Sequence, residues 1–176
     1  NDTEPITVDI ATLERHFSQG WNYFSLPIAT QSRPSISAIL EEDKVQAVWR
    51  YEDGGWESYA PEAQENPFNS FKGGEGYIVE VKEEFTIRPN VQNTVDSESV
   101  ENSNPASREL KKGWNLVGHY WGEPVGVSSA LDSIKDENKG KIYKPKTGLA
   151  LEKMSFVEPL RPSKAYWLMV KEDSIY

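Results

Sequence analysis

The sequence predicts an α+β fold dominated by β-structure, arranged as two tandem similar units that each hold a small antiparallel sheet and one short helix. Two observations predict it. One block of sequence recurs, and apolar–polar alternation over short stretches is punctuated by turn residues throughout. The recurring block is Gly113-Trp114-Asn115-Leu116-Val117-Gly118, and its earlier copy is Gly20-Trp21-Asn22-Tyr23-Phe24-Ser25. The residues downstream of the two copies are parallel as well. Ser37-Ala38-Ile39 answers to Ser129-Ala130-Leu131, and Trp49 and Gly54 answer to Tyr143 and Gly148. Phe71-Lys72-Gly73-Gly74-Glu75-Gly76-Tyr77-Ile78-Val79 answers to Leu160-Arg161-Pro162-Ser163-Lys164-Ala165-Tyr166-Trp167-Leu168. Four blocks in the same order at nearly constant spacing mark a duplication. The expected division is residues 1–88 for an N-terminal strand plus the first repeat, 89–106 for a polar linker, and 107–176 for the second repeat.

Along the chain, Ile6-Thr7-Val8-Asp9-Ile10 alternates like a half-buried strand. Residues 21–28 are aromatic and apolar and predict a first strand that stops near Pro27. Pro34-Ser35 opens a short helix with Ser35 as N-cap, and Ile36, Ile39 and Leu40 form its apolar face. Val45 to Tyr51 alternates again, and Asp53-Gly54 before Trp56–Tyr59 is a strong hairpin signal. Gly73-Gly74-Glu75-Gly76 is a tight turn feeding a strand from Tyr77 to Val81, and a last strand covers Phe85 to Ile87. After the Asn-, Ser- and Glu-rich linker, Val127, Ala130, Leu131 and Ile134 share one helix face. Lys141–Lys144 and Ala150–Met154 form a pair around Lys146-Thr147-Gly148, and Tyr166 to Val170 is the most strongly patterned strand.

Composition narrows the function. The 176 residues carry a net charge of −9, which disfavours nucleic acid and anionic lipid as partners. No run of about 18 apolar residues is present, so this segment predicts no membrane insertion. The absence of cysteine removes disulfides, thiolate zinc sites and iron–sulfur clusters. The polar start, Asn1-Asp2-Thr3-Glu4-Pro5, lacks the pattern of a signal peptide and contains an N-glycosylation sequon. It reads as the start of a processed product or of a piece of something longer. Units of about 70 residues lie near the lower limit for a self-sufficient core, so the two are expected to lean on each other or on neighbouring copies.

The Gly-Trp-Asn-Leu-Val-Gly block, the hairpin Trp49-Arg50-Tyr51-Glu52-Asp53-Gly54-Gly55-Trp56 and the closing Leu160-Arg161-Pro162-Ser163-Lys164-Ala165-Tyr166-Trp167 together resemble a repeat of archaeal and bacterial secreted and cell-surface proteins. The second copy departs from that pattern, with Tyr143 for the first hairpin aromatic and Ala150 near the place of the second tryptophan. The resemblance implies an extracellular module, used in tandem on surface proteins or appended to secreted enzymes. It brings no catalytic residues with it.

Trp21, Trp114, Tyr77 and Tyr166 recur at equivalent places and are expected in the core, since both copies need them whatever their ligand. Trp49, Trp56, Tyr59 and Trp121 are the candidate binding aromatics, as platforms for a sugar or a protein partner. Trp56 and Ser58 should face one side of their strand, and Glu57 and Tyr59 the other. His16 and His119 occupy non-equivalent positions and no nucleophile elbow, His-Glu-x-x-His or phosphate loop accompanies them, so no catalytic residues and no metal ligands are assigned. The acidic pairs, such as Glu41-Glu42 and Glu83-Glu84, adjoin lysines or turns and read as solvated surface. The expected function is therefore non-enzymatic, without a cofactor. It is a structural or adhesion module whose partners are other protein modules or copies of itself, joined through terminal strands by β-augmentation. The alternative is a carbohydrate-binding accessory module of a secreted hydrolase. A third possibility, a hydrolase with paired carboxylates, finds no motif.

Overall fold

A computed structural model describes residues 13–28, 33–89 and 107–176. The strand expected at 6–10, the sequon at Asn1 and the expected linker beyond residue 89 lie outside the described residues. In chain order the strands are β1 (Arg15–Phe17), β2 (Gly20–Phe24), β3 (Val45–Glu52), β4 (Gly55–Tyr59), β5 (Tyr77–Val81) and β6 (Phe85–Ile87). They continue with β7 (Glu109–Leu110), β8 (Gly113–Gly118), β9 (Val125–Gly126), β10 (Lys139–Pro145), β11 (Leu151–Lys153), β12 (Pro159–Leu160), β13 (Ala165–Val170) and β14 (Ser174–Ile175). Two one-turn helices, α1 (Ile36–Ile39) and α2 (Val127–Ala130), lie between β2 and β3 and between β9 and β10. The protein is β-dominated, with several small antiparallel sheets.

Two of those sheets have four strands. The N-terminal one runs β2-β5-β3-β4, and the C-terminal one, read from β8, runs β8-β13-β10-β11. Antiparallel ribbons join β1 to β6 and β7 to β14. Ser174–Ile175, expected to be open to a neighbouring copy, pairs with β7, and Tyr176 behind it is buried with its hydroxyl donating to the Gly118 carbonyl at 2.8 Å. The C-terminal strand is thus engaged within its own chain.

Local chemistry explains most elements. Asp53 and Gly54 both have positive φ (51° and 79°), the geometry of a two-residue turn whose twist matches its flanking strands. Ser35 occupies the N-cap of α1, but its hydroxyl caps nothing; it accepts from the Ser37 hydroxyl instead. The second helix is shorter than its apolar pattern suggests, ending at Ala130. Leu131 and Ile134 are nevertheless buried, because a turn carries them onto the same core. The strand expected over residues 21–28 is β2, which likewise ends at Phe24, and the run from Ser25 to Ile28 stays buried without strand pairing.

Each large sheet has one face in a core of its own. Phe24, Val48, Tyr77, Val79 and Val81 pack with Phe17 and Phe85 beneath the N-terminal sheet. Val117, Ile142, Tyr166, Leu168 and Val170 do the same with Leu110 in the C-terminal half. A third cluster lies between the halves and joins the opposite faces: Tyr23 and Ile78 meet Leu116 and Ala165, flanked by Trp49, Tyr51 and Trp167. Backbone crosses this seam too. Gly76 donates to the Leu116 carbonyl at 3.1 Å and Gly118 to the Gly74 carbonyl at 2.9 Å, so the turn before β5 hooks the free edge of β8. A Cβ on Gly118 would come within 2.6 Å of the Glu75 carbonyl, so this crossing admits no side chain there.

Candidate functional site

The Gly-Trp-Asn block divides its labour among its three residues. Gly20 and Gly113 have φ of 96° and 106°, which lets the chain reverse between β1 and β2 and between β7 and β8. The following asparagine clasps that reversal. Asn22 donates to the carbonyls of Ser18 and Gly20 (2.7 and 3.1 Å) and accepts from the Ser18 amide at 3.1 Å. Asn115 repeats all three bonds with Lys111 and Gly113, at 2.8, 3.2 and 3.1 Å. Both asparagines are buried.

The tryptophan between them is not a core residue. Trp21 and Trp114, expected in the interior, are 41% and 42% exposed. Alternation along the strand forces this outcome: with Asn22 and Phe24 turned to the core, Trp21 must take the other face, at the end of an edge strand beyond the seam. Each ring rests against one of the two matched hairpin aromatics, Trp21 against Trp49 (centroids 6.5 Å) and Trp114 against Tyr143 (5.6 Å). Tyr77 and Tyr166 meet the expectation and are buried, their hydroxyls accepting from the amides of Lys72 and Arg161.

The four candidate aromatics do not form one surface. Register aligns Trp49 with Ser58 and Tyr51 with Trp56, so Trp49, Tyr51 and Trp56 share a face of the N-terminal sheet. Trp56 is 47% exposed and lies edge-on to Tyr51 (5.2 Å) and to Trp167 from the other half (5.8 Å). Trp167 in turn donates its indole N–H to the Tyr23 hydroxyl at 3.2 Å. Trp49 is the inner member of this row. Tyr59, expected as a surface platform, instead faces the core and is buried, and its hydroxyl donates to the Glu42 carboxylate. Burial, helped by that carboxylate, pushes its phenol up to about 12, so it offers no platform. Trp121 is exposed at 46% but stands apart beyond β8, its ring against His119 and Tyr120.

A groove of about 860 Å³ opens along the seam. Tyr51 and Trp114 contribute aromatic surface to it, and Asp53, Lys72, Arg108 and Lys112 contribute charge. Arg108 fixes its geometry. Its guanidinium donates to the carbonyls of Gly74 at 3.2 Å, Tyr51 at 3.4 Å and Leu116, tying the two halves together. Glu75, read from the sequence only as part of a turn, is buried. Its carboxylate accepts from the Tyr77 hydroxyl and lies 4.0 Å from Arg50, whose guanidinium also binds Glu57 and covers the Phe68 ring. No signal in the turn sequence distinguished Glu75 from the exposed acids, because its burial comes from the half it docks against.

The histidines lie far from one another in role. His16, on β1, is exposed beside Thr86 and Glu84. His119 is buried, with Nε2 against the Glu123 carbonyl at 2.6 Å and Nδ1 without a partner among the described residues, and burial holds its pKa below the usual value. Among the described residues no cluster of three or more His, Asp or Glu side chains has metal-binding geometry. No helix among them is long and apolar enough to cross a membrane. No family model matches the chain, nor does any curated protein or solved structure.

Proposed function

We propose that this chain is a non-catalytic extracellular module of a larger surface or secreted protein, made of two tandem similar units and serving structure or adhesion. The strand order supports the tandem reading, as do the paired asparagine clasps and the matching tyrosine-to-amide bonds. The resemblance to archaeal and bacterial surface repeats supports the location. One observation carries adhesion: four of the six tryptophans, Trp21, Trp56, Trp114 and Trp121, are each more than 40% exposed. Exposed indole is costly to leave in water and is the residue type that most often anchors an interface. The partners are other modules or copies of this chain.

Protease shaving of intact source cells tests location. Peptides of this chain should appear in the released fraction, and recovery only from the lysed interior would refute the proposal. Light scattering on the eluted protein tests self-association. A concentration-dependent rise in mass that disappears in Trp56→Ala supports adhesion between copies, and a strict monomer at every concentration removes that part.

A second reading, a carbohydrate-binding accessory module, is favoured by the groove, where Tyr51 and Trp114 stand beside ionic and amide side chains. Rings flanked by polar groups suit the alternating faces of a sugar. Soluble polysaccharides should quench tryptophan fluorescence in the native chain and not in Trp114→Ala. Unchanged emission across a broad polysaccharide set would leave the structural reading alone.

A further inference from the structure

Aromatic rings form a continuous belt across the two halves. It starts at Trp21, which rests on Trp49, and Tyr51 follows two residues on along the same face of β3. Tyr51 meets Trp56 and Trp167 at centroid distances of 5.2 and 5.1 Å, and those two lie 5.8 Å apart, so the belt crosses the seam there. On the far side Trp167 is paired across β13 and β10 with Tyr143, whose ring packs on Trp114 at 5.6 Å. The belt therefore begins and ends on the tryptophan of the recurring Gly-Trp-Asn block. Every member keeps part of its surface in water. The groove of the seam opens beside the belt, because Tyr51 and Trp114 belong to both.

Size and shape decide what such a belt can hold. Trp21, Trp56 and Trp114 are 41%, 47% and 42% exposed, which leaves about 300 Å² of open indole at about 250 Å² for a whole side chain. A stable interface between folded proteins takes about 800 Å² from each partner. The belt therefore suits a narrow, extended occupant. It lies on sheet faces, where main-chain groups are already paired in the ladders, so side chains and not an added strand must hold that occupant. Interplanar angles between touching rings run from 50° to 79°. Successive rings thus share no plane on which the flat faces of a sugar chain could stack. They form ridges with notches between them, and proline rings fit such notches. We propose that the belt binds a proline-rich segment of another protein module in the polyproline II conformation, which is extended and ordered before it docks. A segment of that kind leaves its carbonyls free, and the exposed indoles carry N–H donors for them. The proposal rests on the adhesion reading and names its partner.

Titration calorimetry of the whole chain with decaproline tests the site, with a glycine–serine peptide of equal length and cellohexaose as comparisons. Decaproline should bind saturably, at one site per chain, and the other two should not bind. Trp56→Ala, at the centre of the belt, should weaken binding by about tenfold or more, and Trp114→Ala, at one end, by less. Trp121→Ala is the control, because that ring is also exposed but packs on His119 and Tyr120 away from the belt. It should bind as the native chain does. Absence of saturable binding, equal binding of the glycine–serine peptide, or one affinity across the native chain, Trp56→Ala and Trp114→Ala would overturn the proposal. Tighter binding of cellohexaose would overturn it as well and assign the belt to carbohydrate. Self-association that is lost in Trp56→Ala, beside no binding of decaproline, would leave adhesion standing and refute this partner.

Discussion

Replacing the clasping asparagines gives the sharpest test of how the two halves are built. Asn22 and Asn115 each make three bonds to the reversal that precedes their strand, two as donor and one as acceptor. At about 1 kcal/mol net per bond, with water reaching some of the freed groups, Asn→Ala at either position should cost about 2–3 kcal/mol. For a chain of this length that lowers the melting midpoint by about 5–10 °C. Asn22→Asp or Asn115→Asp is the informative control. It keeps the acceptor but removes both donors and sets a carboxylate against two carbonyl oxygens, so it should be at least as damaging as alanine. Urea titration followed by circular dichroism and by tryptophan emission reads all four variants. Equal costs at the two positions are expected, because the bond sets match. A loss below about 0.5 kcal/mol for alanine, or an aspartate variant as stable as the native chain, would refute the clasp as the reason for the recurring asparagine.

The geometry sets three other outcomes. Arg108→Met removes the donor shared by Gly74, Tyr51 and Leu116 and should cost about 2–4 kcal/mol by urea titration. Arg108→Lys should recover only part, because one ammonium cannot span three carbonyls. Ser163 holds φ of 57° at the position where the N-terminal half has Gly74, so Ser163→Gly should raise stability by about 0.5–1 kcal/mol in the same titration. His119 is buried neutral with its pKa lowered, so the unfolded chain binds the extra proton more readily. Stability from this group is therefore full above the ordinary histidine pKa of about 6.5 and falls as pH drops below it. Melting curves between neutral pH and pH 5 should show that slope, and His119→Phe should flatten it.

The hairpin at Asp53-Gly54, the strands from Val45 to Glu52 and from Tyr77 to Val81, and the turn at Gly73–Gly76 were all legible in the sequence. Each depends on local chemistry: positive φ at Asp and Gly, period-two alternation, and glycine where the backbone turns sharply. The places where expectation and structure part are those where a distant segment decides. Trp21 and Trp114 were expected inside because they recur. Recurrence reports that a residue is needed by both copies and not which face it takes, and the buried asparagine beside each one settles the face. Tyr59 looked like a surface aromatic until Phe68 and Glu42 closed over it.

The β-rich character, the turns and most of the strands could be read from the sequence, because those arise from backbone preferences a few residues long. Which aromatics face water, the burial of Glu75, and the docking of the Lys164 turn against Ser25 were set by the tertiary fold. All three depend on how the halves dock, and the contacts involved join residues as far apart in sequence as Tyr23 and Trp167. No local pattern carries that information, since the same strand alternation is satisfied whichever face finds a partner.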